Sequence, residues 1–425
     1  MRGFWLGSAA TVIMLSGLGY ALPAMAQATP DTNLAPGQSA VHLNGRVNWY
    51  AGVEGSSLDN IGGTKTSTSS FLGYLRLYPN FQGVAANGLH YGSSAEIRTN
   101  SSASAGGETL YVFQAYGYLG LPQLGQISFG QQNGPSVLTE TGFFEGFNDG
   151  GWNGDIEGMI PVGANPVYPF PDSGAAYDQA SDKIVYLSPA LAGFQFSAGF
   201  TPNQTASNYA PAVTTSATPI SGGMPRNMLD IGGQYTQAFG PVGLQVGLDY
   251  TTAGQVANTG DPQGVTGYKD MSIFTGGATL TYGGLTVGGN AVTGAFNMAD
   301  GFTFQLEPDG GTKAIGWMAG AQYALGPIVL GASFYRFTQT GDLPGGTDAG
   351  SGATITSSGL TTGQQQNNGV AAGITYTLVP GVNLFADYLF GTRQQGGYDF
   401  ATGDAGDAHN NVQSQLFGLG TQIQW

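Results

Sequence analysis

The sequence has no cysteine, little charge and very few bases. Without cysteine, neither a disulfide framework nor a thiolate metal cluster can hold the 425-residue chain together. Charged residues make up 9% of it, against about 25% in ordinary soluble domains. A surface so poor in charge either faces something other than water or belongs to a disordered chain, and 12% aromatics argue against disorder. Lysine and arginine together number 11 against 26 acids, a balance that argues against a nucleic-acid partner. Beyond Leu22 there is no apolar run of about 18 residues, so no transmembrane helix is expected. Histidine occurs only at 42, 90 and 409, too sparsely for a convergent zinc site. With no thiol nucleophile and so few candidate bases, the reading is a non-enzyme without a cofactor or resident metal.

The N-terminus reads as a leader. Arg2 precedes an apolar run from Ala9 to Leu22, and Ala24 and Ala26 in "PAMAQA" form a small-residue cleavage site. Residues 1–26 are therefore expected to be a signal peptide and 27–425 a single domain. A secreted chain with a charge-poor surface and no spanning helix has one main way to live in a membrane, a closed β-barrel.

Glycine is abundant, at 73 residues, and recurs where the chain turns. In "QYTQAFGPVGLQVGLDY", from Gln234, two alternating runs meet at Gly-Pro. The same design returns at Tyr74, Ala115, Ile184, Thr279, Ala321 and Ile374. These seven hairpins, with a first strand from Val41 and a last strand ending at Trp425, predict about 16 antiparallel strands. In the first strand Val41, Leu43, Val47, Trp49 and Val53 alternate with His42, Asn44, Arg46 and Asn48. Alternation alone does not say which face is inside, because a water-soluble sandwich alternates too. The connections say more. Those within hairpins are short, and those between hairpins, such as 131–180 and 339–367, are long and polar. Short turns at one end and long loops at the other mark a transmembrane barrel. Aromatics near strand ends (Tyr50, Tyr78, Phe129, Phe200, Tyr250, Tyr282, Phe337, Phe390, Trp425) are expected to form its interfacial girdles.

Connection 131–180 has a composition of its own. Glu140, Glu145, Asp149, Asp155 and Glu157 are followed by Asp172 and Asp178, with no base among them. Phe143, Phe144, Phe147 and Trp152 are aromatics that a solvated loop would not need. Asn153, Asp155 and Glu157 also offer alternating oxygen ligands, a weak calcium candidate. An exposed surface loop is the plain alternative. Arg46, Arg76, Arg98 and Lys183 fall on the polar faces of their strands. Lys65, Arg226, Lys269 and Lys313 are expected in or near solvated loops, and Arg336 and Arg393 at the rim.

"SDKIVYLSPALAGFQFSAGF" from Ser181 and "YLRLYPNFQGVAANGLHYGSSAEIR" from Tyr74 resemble strand pairs of the general Gram-negative porins. The alternating end Phe417, Leu419, Ile423, Trp425 resembles that family's assembly signal, with tryptophan where phenylalanine is usual. The resemblance covers the mature chain in architecture and implies an all-β, trimeric outer-membrane barrel of 16 strands. It implies that the third long loop, 131–180, folds into the lumen opposite a basic wall of Arg46, Arg76, Arg98 and Lys183. The implied function is passive diffusion of small hydrophilic solutes and ions through a water-filled channel. The implied partners are outer-membrane lipid and lipopolysaccharide, two further copies of the chain, and the barrel-assembly machinery acting on the last strand. A substrate-selective channel for a sugar or nutrient, with Tyr74, Tyr116 and Tyr118 as possible track residues, and a secreted β-rich binding protein remain the alternatives. The acid excess predicts weak cation preference.

Overall fold

The computed structural model describes residues 34–61, 68–100, 109–142, 147, 151–153, 156–170, 180–203, 226–254, 270–296, 313–342 and 363–425. The leader, with most acids of the long connection, lies outside these residues.

Sixteen strands follow one another in chain order: β1 (Ser39–Ser56), β2 (Ser69–Val84), β3 (His90–Asn100), β4 (Thr109–Leu121), β5 (Gly125–Gln132), β6 (Ser181–Leu187), β7 (Phe194–Asn203) and β8 (Arg226–Phe239). They continue with β9 (Val242–Gly254), β10 (Met271–Tyr282), β11 (Leu285–Ala295), β12 (Ala314–Leu325), β13 (Ile328–Thr340), β14 (Gln364–Val379), β15 (Val382–Gln394) and β16 (Asn411–Gln424). Each pairs antiparallel with its sequence neighbours, and β16 pairs with β1, so the sheet closes into a barrel without edges. Closure is completed at the turn end. Gly45 and Trp425 exchange two backbone hydrogen bonds of 3.1 Å, and the Trp425 ring covers Gly45.

The hairpin turns follow from their residues. Gly326 and Gly381, at φ +58° and +85°, supply the left-handed backbone that two-residue turns need. All seven within-hairpin turns lie at one end of the barrel, and the long connections lie at the other.

Exposure settles what alternation left open. On β1, Val41 is 77% exposed, while Asn48, one parity over, is 1% exposed. Phe71, Leu248, Ile315 and Leu419 are likewise exposed, and Gln82, Asp230, Asn290 and Asn367 are buried. The apolar face therefore points outward and the polar face inward, the reverse of a water-soluble barrel. Phe417, Leu419, Ile423 and Trp425 all share the outward face of β16.

The girdle expectation needs correction at three positions. Tyr50 and Phe337 are fully buried on the inner face, and Tyr78 also has inward parity. Their strands reach the right height but the wrong side, since Tyr50 follows the parity of Asn48 and Phe337 that of Tyr335 and Gln339. Phe129, Phe200, Tyr282 and Trp425 are outward and exposed, as expected.

Candidate functional site

The inner face carries a row of arginines. Arg46 of β1 lies directly opposite Arg76 of β2, and Arg76 opposite Arg98 of β3. Like charges placed opposite one another repel, so neighbours must hold them. The Arg76 guanidinium carbon lies 4.4 Å from the centre of the Tyr74 ring, and that of Arg46 lies 5.5 Å from the same ring. Both are cation–π contacts. Arg98 donates from Nε to Glu96 Oε1 at 2.6 Å, and its guanidinium carbon sits 3.4 Å from the centre of Phe113. A bulge places it there: Glu96 pairs with Gln114 but Ile97 with Val112, leaving Phe113 as the extra residue. His42 and His90 share the inward face with this row, and Lys183 of β6 also points inward, 3% exposed.

The connection between β5 and β6 enters the barrel. It opens with α1 (Pro135–Leu138), whose Pro135 rests on Gly199 of β7. Ser136 N–H donates to the inward Asp230 of β8 at 2.9 Å. Residues 139–142 then cross from β8 to β11. Gln234 donates to Thr141 Oγ1 at 3.2 Å and Asn290 to the Thr141 carbonyl at 2.9 Å. Between these anchors, the inward positions of β9 and β10 are Gly247 and Gly277, where any Cβ would run into the loop backbone at 139 and 141. Further on, Phe147 lies over Gly331 of β13, Trp152 over Gly369 and Gly391 of β14 and β15, Ile156 over Gly418 of β16, and Met159 over Gly52 of β1. The inner wall is thus missing its side chains along the path that the loop takes. Trp152 also donates its indole N–H to Val370 O at 3.0 Å. Phe147, Trp152, Ile156 and Phe170 are all nearly or fully buried. Burying each such side chain contributes on the order of 1.5–3 kcal/mol.

The loop then doubles back. Pro166 reaches Gly391, Val167 N–H donates to Asn367 at 3.1 Å, and Tyr168 meets Tyr335 edge-on at 5.1 Å. Burial pushes the Tyr168 phenol well above its ordinary pKa, and the charge of Glu140 pushes it the same way. It therefore stays protonated at neutral pH. A second anchor lies at the loop end of β15, where Arg393 donates to Gly163 O at 3.3 Å and to Asp342 at 3.4 Å. Gln365 donates to the same Asp342 oxygen at 2.9 Å. Arg393 is 9% exposed and turned inward, so the rim assignment does not hold for it. Phe400 caps it, 4.7 Å from guanidinium carbon to ring centre.

The last long connection is clamped in turn, through His409 Nδ1 to Asp399 at 2.9 Å. Burial alone would raise the Asp399 pKa. The bond from His409 and backbone N–H groups of Ala401 and Thr402 outweigh it and hold the carboxyl below its usual range. A depressed carboxyl stabilises above its unfolded pKa, and that contribution is lost as pH falls through the folded value. Acidification below about pH 4 should therefore loosen this clamp, read as faster cleavage within 395–410 by an acid-active protease. Asp399→Asn should show the fast rate at every pH.

Of the site residues expected from sequence, Arg46, Arg76 and Arg98 come together as one row, and Lys183 stands apart on β6. Glu140 lies with the segment against β8–β11, and β10 is diametrically across the ring from β2. Glu157 does not share that side: its helical turn, Ile156–Met159, sits against β16 and β1. Glu145, Asp149 and Asp155 lie outside the described residues. For calcium, Asp155 is among these, and no group of three metal-ligating side chains converges among the described residues. The acids of the wall itself are not among the site residues expected from sequence. Asp230, Asp249 and Asp387 all point inward and are buried, and strand parity was the signal that could have shown them.

The model of the Gram-negative porin family matches residues 9–397. The chain belongs to that family. Among solved structures, an anion-selective porin from Comamonas acidovorans aligns with 91% of this chain and 100% of its own, at 16% identity and TM-score 0.55. OmpT, an outer membrane protein of Vibrio cholerae, aligns with 91% of this chain and 98% of its own, at 13% identity and TM-score 0.53. A mutant of the Rh. blastica porin aligns at 12% identity and TM-score 0.50, covering 91% and 100%. At these identities the likeness is one of fold. No curated protein matches the chain. Family and barrel together make this porin an outer-membrane channel, and its apolar exterior excludes the water-soluble alternative.

Proposed function

We propose that this porin passes small hydrophilic solutes and ions by passive diffusion, through a gap between its inward-folded third loop and the arginine-bearing wall. One observation carries the reading. The described loop contacts run around the inner wall from β7 to β1 and the edge of β2, and back to β12, leaving the wall from β3 to β6 largely uncovered. Solute passes where the loop does not lie, along Arg76 and Arg98, with Arg46 at the margin and Lys183 buried in the wall beyond them. Facing them is Glu140 of the loop, with Asp230 and Asp249 of the wall buried beneath the loop behind it. Opposed charges across a narrow, partly desolvated gap orient water and dipolar solutes and penalise apolar ones. The described lumen also holds Glu54, Glu96, Asp342 and Asp387, so acids outnumber bases and cations are weakly preferred. Tyr116 and Tyr118 face inward but are buried, which speaks against a continuous aromatic track for a sugar. In the same reading, residues 1–26 are removed as a leader, three copies assemble, and the barrel-assembly machinery recognises the outward face of the last strand.

The test is planar-bilayer conductance of the refolded protein beside a variant with Glu140, Glu145, Asp149, Asp155 and Glu157 changed to the corresponding amides. Discrete steps are expected from both, with the reversal potential in a salt gradient moving towards anions in the variant. Steps with unaltered selectivity would place the loop acids outside the ion path. Absence of steps from folded protein would overturn the diffusion reading.

A further inference from the structure

We propose that the last long connection, residues 395–410, is a strap that holds the return limb of the third loop clear of the passage, and that Phe400 is the residue that positions the limb. Gly163 of that limb is held from two sides. From the wall, Arg393 of β15 donates to the Gly163 carbonyl at 3.3 Å. From the other side, Phe400 and Leu58 close on its Cα: a Cβ built there would stand 3.0 Å from the Phe400 carbonyl and 3.1 Å from Leu58 Cδ1. Phe400 also lays its ring over the Arg393 guanidinium, 4.7 Å from carbon to ring centre, and is itself buried. One residue of the strap therefore touches both the limb and the arginine to which the limb is tied. A cation–π contact of this kind strengthens when water is excluded.

The strap closes on itself. Gln395 N–H donates to Asn410 O at 2.9 Å across its root, and Phe400 N–H to His409 O at 3.2 Å. Asp407 accepts from Gly397 N–H and from the Asn410 amide, both at 2.9 Å, and Tyr398 stands edge-on to Phe400 at 5.1 Å. Gln395 also joins the root to the connection after β13, accepting from Asp342 N–H at 2.8 Å. A segment bonded at both ends and across its middle opens rarely. The limb has fewer ties of its own. Asn367 holds Val167, Pro166 rests on Gly391, and Ile160 and Ala164 are buried. Without the ring of Phe400, Gly163 keeps a single hydrogen bond, to an uncapped guanidinium, and the limb can lift from β15 into the lumen. The inference rests on the reading that solutes pass beside the third loop, and adds what keeps that passage open.

The experiment is long single-channel recording of the refolded protein in a planar bilayer, wild type beside Phe400→Ala. Wild type should hold a steady open level. Phe400→Ala should reach the same level, with the same reversal potential, but interrupt it about tenfold more often. Phe400→Tyr, which keeps a ring over Arg393, should be as steady as wild type. A purely structural role would lower the melting temperature of Phe400→Ala and leave its current steady, and that result would overturn the proposal. So would equally frequent interruptions in Phe400→Ala and Phe400→Tyr. Should Phe400→Ala fail to fold, Asp399→Asn decides, because it removes the charge that His409 and the Ala401 N–H hold while leaving the ring in place. More frequent interruptions there support the strap, and a steady current overturns it. Steady steps in every variant would remove the strap and leave the permeation reading standing, whereas absence of steps from folded wild type would remove both.

Discussion

Changing Gly277 to valine is expected to lower single-channel conductance and to destabilise the barrel by about 1–3 kcal/mol. Gly277 faces inward on β10, and a Cβ built there would overlap the Thr141 carbonyl and press on the Asn290 amide that holds it. The loop backbone cannot give way sideways, because Gln234 ties residue 141 on the β8 side and Gly142, with φ +96°, lies against Gly289 on β11. It must lift from the wall into the passage. Gly276 supplies the control. It faces outward, and its nearest obstacle is the flexible Leu248 side chain at 2.9 Å, so Gly276→Ala should leave conductance as it is. Bilayer recording and thermal melting of the two variants read both effects. Wild-type values for Gly277→Val would mean that residues 139–142 do not rest on β10.

Neutralising the arginine row should have the largest effect on ion sorting. In the triple variant Arg46→Gln, Arg76→Gln, Arg98→Gln, cation preference should rise several-fold, since each unit charge beside a passing ion contributes on the order of 1 kcal/mol even in a watery environment. The effect should be strong at low salt and shrink towards 1 M, as the screening length falls from roughly 10 Å at 0.1 M to about 3 Å. Arg393→Gln is the informative contrast. Arg393 is buried between Gly163, Asp342 and Phe400, away from the uncovered wall, so its loss should lower thermal stability and change selectivity little. A reversal potential indifferent to the triple change would remove the row from the ion path.

Sequence and tertiary structure divide the account of this porin in a way that follows from the range of the interactions. Strand number and the two-ended layout of turns and loops were legible because both are local. Alternation has a period of two, and the Gly-Pro, Gly-Gly and Pro-Gly pairs at 240–241, 326–327, 283–284 and 380–381 sit where two alternating runs meet. The inward parity of Arg46, Arg76 and Arg98 was legible for the same reason. That they form one row was not, because row membership depends on register between strands, which the sequence of a single strand does not contain. The aromatics Tyr50 and Phe337 were misplaced because nearness to a strand end says nothing of side, and Arg393 because a loop-end position does not reveal what lies beneath it. The acidic aromatic loop announced itself by composition, yet its bed did not. Gly199, Gly277, Gly369 and Gly418 look like any other glycines among 73. Only closure of the barrel brings their bare backbones under one path, because the contact between loop and wall spans up to hundreds of residues and forms only when every strand is in register. The sequence by itself determined a two-faced, sixteen-stranded sheet with an unusual third connection. The tertiary structure decided which face meets lipid, where the loop rests and which charges border the passage.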